Sequence, residues 1–341
     1  MAVATVHRRR GMTLIELLVV LAIMGLLAVT VVPLLVGNRD KKSVRNAADA
    51  AESAFSHVAT KAMTSPHGAA AWLETGTSGA GIGAAVRSIA FARVPAVASG
   101  STTIATIPGN ATTVTVSLSV SNSFASDLPA PIEFAGIPGV FTATDTTSVT
   151  CANTGATGAM NRTYWNASPP PATGSPVPYS IHLPPRQSSF ASVTPLPGGV
   201  AIDLSESQIG LNSSATTLNG YKRVAIEYDR TGALLSVWMS TATSGGGWNR
   251  QLLTASTPIV LAIGMQSQAG QAWVSTPTED NPGASWQSPF ARWLLIDPRN
   301  GSARVIEAGS CTGAQNATAA RGLSLAPVVE EFQNSRTGGQ K

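Results

Sequence analysis

The 341-residue chain carries 22 Lys and Arg against 18 Asp and Glu, is only 12% charged, and contains 32 glycines, 22 prolines and two cysteines. Such a length accommodates one large domain or two modest ones, each with a sizeable core. Three of the basic residues, Arg8, Arg9 and Arg10, stand together near the start; setting them aside leaves 19 against 18 acids, so a pI near 9.3 does not point to a nucleic-acid partner, and none is expected.

The arginine run leads into Gly11 and then into residues 12–36, an apolar stretch in which Glu16 is the only charged side chain. As a helix rising about 1.5 Å per residue it reaches about 37 Å, enough to cross a hydrocarbon core of about 30 Å. Arginines just before such a segment hold the N-terminus in the cytoplasm and send the remainder of the chain outward. Residues 1–11 are too short and too basic to be a signal peptide with its own apolar core, so the anchor is expected to be retained. A carboxylate inside the span costs on the order of 2.5–3.5 kcal/mol and calls for a partner. A cut between Gly11 and Met12 supplies one: the new α-amino group lies about one helical turn from Glu16, in the same or a neighbouring subunit.

The run Gly11-Met12-Thr13-Leu14-Ile15-Glu16 resembles the processing site of type IV prepilins and of the pseudopilins of type II secretion systems. The resemblance implies that a prepilin peptidase cleaves after Gly11 and methylates Met12, and that Glu16 guides docking into a growing filament. Gly25 and Pro33 stand where that family has the glycine and proline bounding a loosened part of the helix, and Val29-Thr30-Val31-Val32 before Pro33 is itself unfavourable for a regular helix. Met12 departs mildly from the commoner phenylalanine. The likeness spans only about residues 8–35. It implies a single-pass protein of the bacterial inner membrane with its C-terminal domain in the periplasm until assembly. The partners implied are the prepilin peptidase, other pilin or pseudopilin subunits, an inner-membrane assembly platform and the lipid bilayer.

Beyond the 12–37 anchor, Val44, Ala48, Ala51, Phe55, Val58 and Ala62 recur at spacings of three and four, with Arg39, Asp40, Lys41, Lys42, Arg45, Asp49 and Glu52 between them. That periodicity predicts an amphipathic helix over 38–66, ended by Ser65-Pro66-His67-Gly68. Residues 67–198 are rich in Gly, Ser, Thr and Pro, with weak strand patterns at 88–94 and 112–120 and a loop or extended segment over 154–178. Residues 199–310 form an antiparallel β region: a strand at 199–204, a hairpin of 222–228 and 233–239 around Asp229-Arg230-Thr231-Gly232, a strand at 258–265, and a hairpin of 292–296 and 302–306. The tail, 311–341, holds a short helix at 327–333. The fold class is α+β: a long N-terminal helix, half membrane and half amphipathic, packed on a large β-rich C-terminal domain.

Catalytic chemistry is not legible. His7, His57, His67 and His182 form no HExxH pair, there is no CxxC, GxSxG or P-loop, and Gly79-Ala80-Gly81-Ile82-Gly83 reads as a connector. Neither metal nor cofactor is expected; the oxygens of Glu279, Asp280 and Asn281 match no calcium-site spacing. Cys151 and Cys311, exported to an oxidising compartment, form a possible disulfide, worth about 5 kcal/mol on the chain-entropy model for a loop of about 160 residues. Trp248, after three glycines, is placed in an exposed loop. The expectation is a non-enzymatic minor or body subunit of a type II secretion pseudopilus serving protein export; Glu16 argues against the tip subunit, which typically lacks the acid. The alternative is a minor pilin of a surface type IV pilus serving adhesion, motility or DNA uptake.

Overall fold

The computed structural model describes residues 14–76, 84–103, 113–115, 130–134, 137–143, 148–151, 176–187, 192–211, 215–241, 247–278, 281, 283–311 and 314–337. Residues 28–38 and several strand residues of the smaller sheet are described by their backbone alone.

The first element is a single helix, α1 (Leu14–Thr64). It runs through both halves of the long N-terminal helix expected from the sequence and stops where Ser65-Pro66 was expected to stop it. The loosening expected between Gly25 and Pro33 does not interrupt it: the helix is continuous through both. A proline withholds one ladder hydrogen bond from the carbonyl four residues back, a local loss that leaves the turns on either side helical here.

The second half of α1 buries the expected stripe. Val44, Ala48, Ala51, Phe55, Val58 and Ala62 are all at most 3% exposed, and Ala47, Ala54 and Ala59 join them. The preponderance of alanine lets the helix axis lie close to strand backbones, with Phe55 as its one large anchor.

A sheet wraps this half-helix. Its nine principal strands are β1 (Ala69–Thr75), β2 (Ala85–Arg93), β3 (Val200–Ile209), β4 (Arg223–Tyr228), β5 (Leu234–Ser240), β6 (Trp248–Leu252), β7 (Ile259–Met265), β8 (Arg292–Ile296) and β9 (Ala303–Glu307). They are ordered β6-β5-β4-β1-β2-β3-β7-β8-β9, each pairing antiparallel. Alternation sends Leu73, Val86, Ile89, Ile202, Val224, Ile226, Val237, Leu261, Ile263 and Leu294 into one core with α1, as period-two strands require.

The sheet curls until distant strands meet. The turn joining β4 to β5 touches the turn joining β8 to β9: the Leu234 amide donates to Pro298 O at 3.0 Å, and Gly301 lies against the Gly232 carbonyl and the Tyr228 ring. Gly301 has φ +64°, and a Cβ there would stand 2.8 Å from that ring. Glycine is needed both for the backbone and for the space.

Both hairpins of residues 222–239 and 292–306 are confirmed to within about two residues, as such boundaries allow. The division at 198/199 does not separate two folding units, because β1 and β2, drawn from the weakly patterned stretch, hold the middle of the sheet. What is set apart is a six-stranded sheet between β2 and β3, ordered Ala98–Thr103, Pro176–Ile181, Ala130–Phe134, Ile137–Ala143, Ser148–Cys151 and Thr113–Thr115. The chain leaves β2 at Arg93 and comes back to the same place, where Arg186 pairs with Arg93.

The tail helix is longer than expected. α2 (Ala317–Thr337) contains Pro327 and covers the outer face of β7 and β8. Ala320, Leu325, Val328 and Phe332 pack there on Val260, Ala262, Trp293 and Leu295, and the Trp293 indole donates to Ser324 O at 3.1 Å.

Candidate functional site: the first half of α1

Glu16 stands in the first turn of α1, where a carboxylate meets the partial positive charge of a helix N-terminus. It is exposed. Gly11 and Met12, the expected processing pair, lie outside the described residues, as do His7 and the three arginines of the leader. Gly25 has nothing within 4 Å of where a Cβ would be, and of Pro33 only the helical backbone is described.

Every side chain from 14 to 27 is exposed, including Leu14 at 81%, Ile15 at 70% and Leu26 at 70%. A continuous apolar rod of this size is not a surface that water leaves alone; it marks a contact with lipid or protein. Among the described residues no helix is long and apolar enough to cross a membrane. Those fourteen residues rise about 21 Å, short of a hydrocarbon core of about 30 Å, while the sequence carries the apolar run on to Val36.

The domain's polar clusters are structural in form. Glu227 is 4% exposed and accepts from the Ser236 hydroxyl and from the Trp238 indole at 2.8 Å; the Arg250 guanidinium is 3.6 Å away and lies over the Trp238 ring. Register explains the cluster: Glu227 faces Ser236, and Trp238 faces Arg250. Trp248 corrects the expectation of an exposed aromatic. It opens β6, is 7% exposed, sits 5.1 Å from the Trp72 ring and is covered by the Arg223 guanidinium at 4.7 Å. Glycines before it did not mean exposure, because pairing with Ser240 draws it onto the sheet.

A second buried carboxylate, Asp203, accepts from the Ser205 amide, the Ser285 hydroxyl and the Gly270 amide. These bonds pin a bulge in β3 between its pairings at Asp203 and Gln208. Nearby, burial pushes the Glu206 carboxyl up, with Arg321 pulling it down and Asp203 adding to the rise. No group of three or more His, Cys, Asp or Glu that could hold a metal ion comes together among the described residues. Asn281 closes a turn with Thr278; Glu279 and Asp280 lie outside the described residues.

Cys311 carries a free thiol, so the expected bridge to Cys151 is not made here. Its sulfur is taken up in the packing beneath α2, directed to Gly309 O at 3.8 Å, and burial raises its pKa. Cys151 lies on a strand of the smaller sheet, and its side chain is outside those described.

Residues 6–32 match the family model of the prokaryotic N-terminal methylation motif. This is the prepilin-type cleavage and methylation segment, and a motif of this kind implies processing by a prepilin peptidase and assembly with other pilin subunits; the match covers 27 of the 341 residues. No curated protein matches the chain as a relative.

Proposed function

We propose that the chain is a non-enzymatic structural subunit, minor or body, of a type II secretion pseudopilus. It is cleaved after Gly11, N-methylated at Met12 and held in the inner membrane by residues 12–36. Its C-terminal domain faces the periplasm, and an assembly platform in the membrane moves it into the filament. The observation that carries this reading is the exposed apolar half of α1, bearing Glu16 and running without interruption into the helix that the domain encloses. The anchor and the domain core are one rod, as a subunit lifted from lipid into a filament core requires. Secretion is favoured over a DNA-handling surface pilus because every arginine from residue 250 to residue 321 faces a carboxylate, Arg250, Arg292, Arg299, Arg304 and Arg321 alike, which weakens the positive field that this part of the domain offers to nucleic acid.

N-terminal sequencing and mass measurement of the membrane protein test the processing step; the mature chain is expected to begin with methylated Met12, and any other start overturns it. Glu16→Ala and Glu16→Val are expected to insert normally and yet lose filament incorporation. Normal incorporation of both variants rules out the docking role. Deleting the gene should trap cargo in the periplasm; intact export with lost surface motility or adhesion reassigns the chain to a surface pilus.

A further inference from the structure

α2 is held unevenly along its length. Beyond Pro327 it is fixed by Val328, 0% exposed, and Phe332, 5% exposed, by Arg304 on Glu331 at 2.6 Å, and by Arg299, which donates to Ser335 O at 3.2 Å. Before Pro327 the grip is slight. Of residues 317–323, Ala317, Thr318, Ala319, Gly322 and Leu323 are exposed, Ala320 alone is buried, and Arg321 is half-buried. Gly322 costs a helix interior about 1 kcal/mol relative to alanine, and Pro327 withholds a ladder bond from the Leu323 carbonyl. Between the two halves the backbone is pinned: Ser324 O accepts from the Gly309 amide at 3.0 Å and from the Trp293 indole at 3.1 Å. The first two turns are thus a short arm on a fixed pivot, fastened by one methyl group and one guanidinium.

That guanidinium lands on Glu206. Its Nη2 donates to the Glu206 carbonyl at 2.6 Å, while its Nε stands 3.7 Å from the carboxylate, whose side chain is 17% exposed. Facing the carboxylate are Arg321 from α2, Trp286 from the turn Ser285–Gln287, and Asp203 from its own strand. A single base thus serves two acids. The Arg321 Nε and the Trp286 indole N–H are buried and stop short of a closed hydrogen bond, so the ion pair is loose. Burial outweighs the Arg321 charge and holds the carboxyl above its ordinary value.

We propose that residues 317–323 form a strap that protonation of Glu206 keeps shut and its ionisation loosens, swinging about Ser324 while the rest of α2 stays in place. A neutral carboxyl avoids the cost of a buried charge, and an ionised one regains water when the strap lifts. What the strap uncovers is the apolar floor of Ala284 and Trp286 on which Ala320 packs. The sign follows from linkage. A carboxyl raised in the closed form and ordinary in the open form favours closure fully below the ordinary value, and that preference is lost as pH rises through the raised one. The device is independent of the pilin-like reading above.

Thiol labelling of the full-length protein in detergent micelles tests this. With Cys151→Ser and Cys311→Ser as background, Ala320→Cys places a thiol under the strap, Leu323→Cys one on its outside and Val328→Cys one beyond the pivot; the Leu323 position corrects for the pH dependence of the thiol chemistry itself. Relative to Leu323→Cys, labelling of Ala320→Cys should rise several-fold from about pH 5 to about pH 8. With Glu206→Gln added it should stay low across the range, and with Arg321→Gln added it should be high throughout. Labelling of Val328→Cys should stay low in every case, which also reports that the second half of α2 remains folded. A ratio for Ala320→Cys that is flat with pH, a rise that survives Glu206→Gln, low labelling with Arg321→Gln, or labelling of Val328→Cys that rises in step with Ala320→Cys overturns the strap.

Discussion

At the scale of single residues, the most exacting positions are glycines and carboxylates rather than the large apolar side chains. Gly301 and Gly220 both have positive φ, but only Gly301 is crowded, while Gly220 has nothing within 4 Å of its missing Cβ. Gly220→Ala should therefore cost only backbone strain, about 1 kcal/mol, and Gly301→Ala should cost more, toward about 3 kcal/mol; paired urea melts measure the difference, and equal losses would mean that the two turns do not press together. Asp297 offers a test of sign. Burial pushes its carboxyl up, but hydrogen bonds from the Arg299 side chain and backbone, with the Arg299 and Arg304 charges, hold it below its ordinary value. Stability from a lowered carboxyl is present above the ordinary value and is lost as pH falls through the lowered one. Asp297→Asn should thus be less stable than wild type near neutral pH, with the gap closing below about pH 4. Glu206 works in the opposite sense: its raised carboxyl resists ionising, so that contribution to stability falls as pH rises past the ordinary glutamate range.

At the scale of elements, α2 is the clearest case of a helix held by one face. Phe332 is 5% exposed and Leu323 is 44% exposed. Phe332→Ala should cost about 3 kcal/mol or more, while Leu323→Ala should stay within about 0.5 kcal/mol; thermal melts of both variants check this. Legibility from sequence followed the same physics. The stripe from Val44 to Ala62 and the two hairpins were readable because period and turn chemistry are local. β1 was not readable: Ala69-Ala70-Ala71-Trp72-Leu73 is buried on both faces and shows no alternation, as a central covered strand should not. α2 was underread because its apolar positions are spread around Pro327 and gain meaning only against Trp293 and Leu295. Trp248 was misplaced for a related reason: its position depends on a strand partner, which glycines before it do not reveal. The methylation segment was legible as a motif, since residues 11–16 are contiguous and their order is the signal.

At the scale of the whole molecule, α1 is at once the apolar rod outside the domain and the centre of the core within it. Trimming the chain to begin at residue 39 should remove the exposed apolar segment and leave a domain that melts in one cooperative transition, because all nine α1 residues of the core lie beyond that point. Beginning it at residue 65 takes those nine side chains out of the sheet's concave face and should abolish the transition; circular dichroism melts distinguish the two. The touching turns at 229–233 and 297–302 give this arrangement a mechanical meaning. The β4–β5 turn stands against the C-terminal end of α1, where a Cβ on Gly232 would meet Met63 and the Ala59 carbonyl, and the β8–β9 turn closes on it through the Leu234–Pro298 hydrogen bond. Because α1 passes within a few residues into β1, near the middle of the sheet, a pull applied at residue 14 loads the wall of strands from its centre rather than peeling it from an edge.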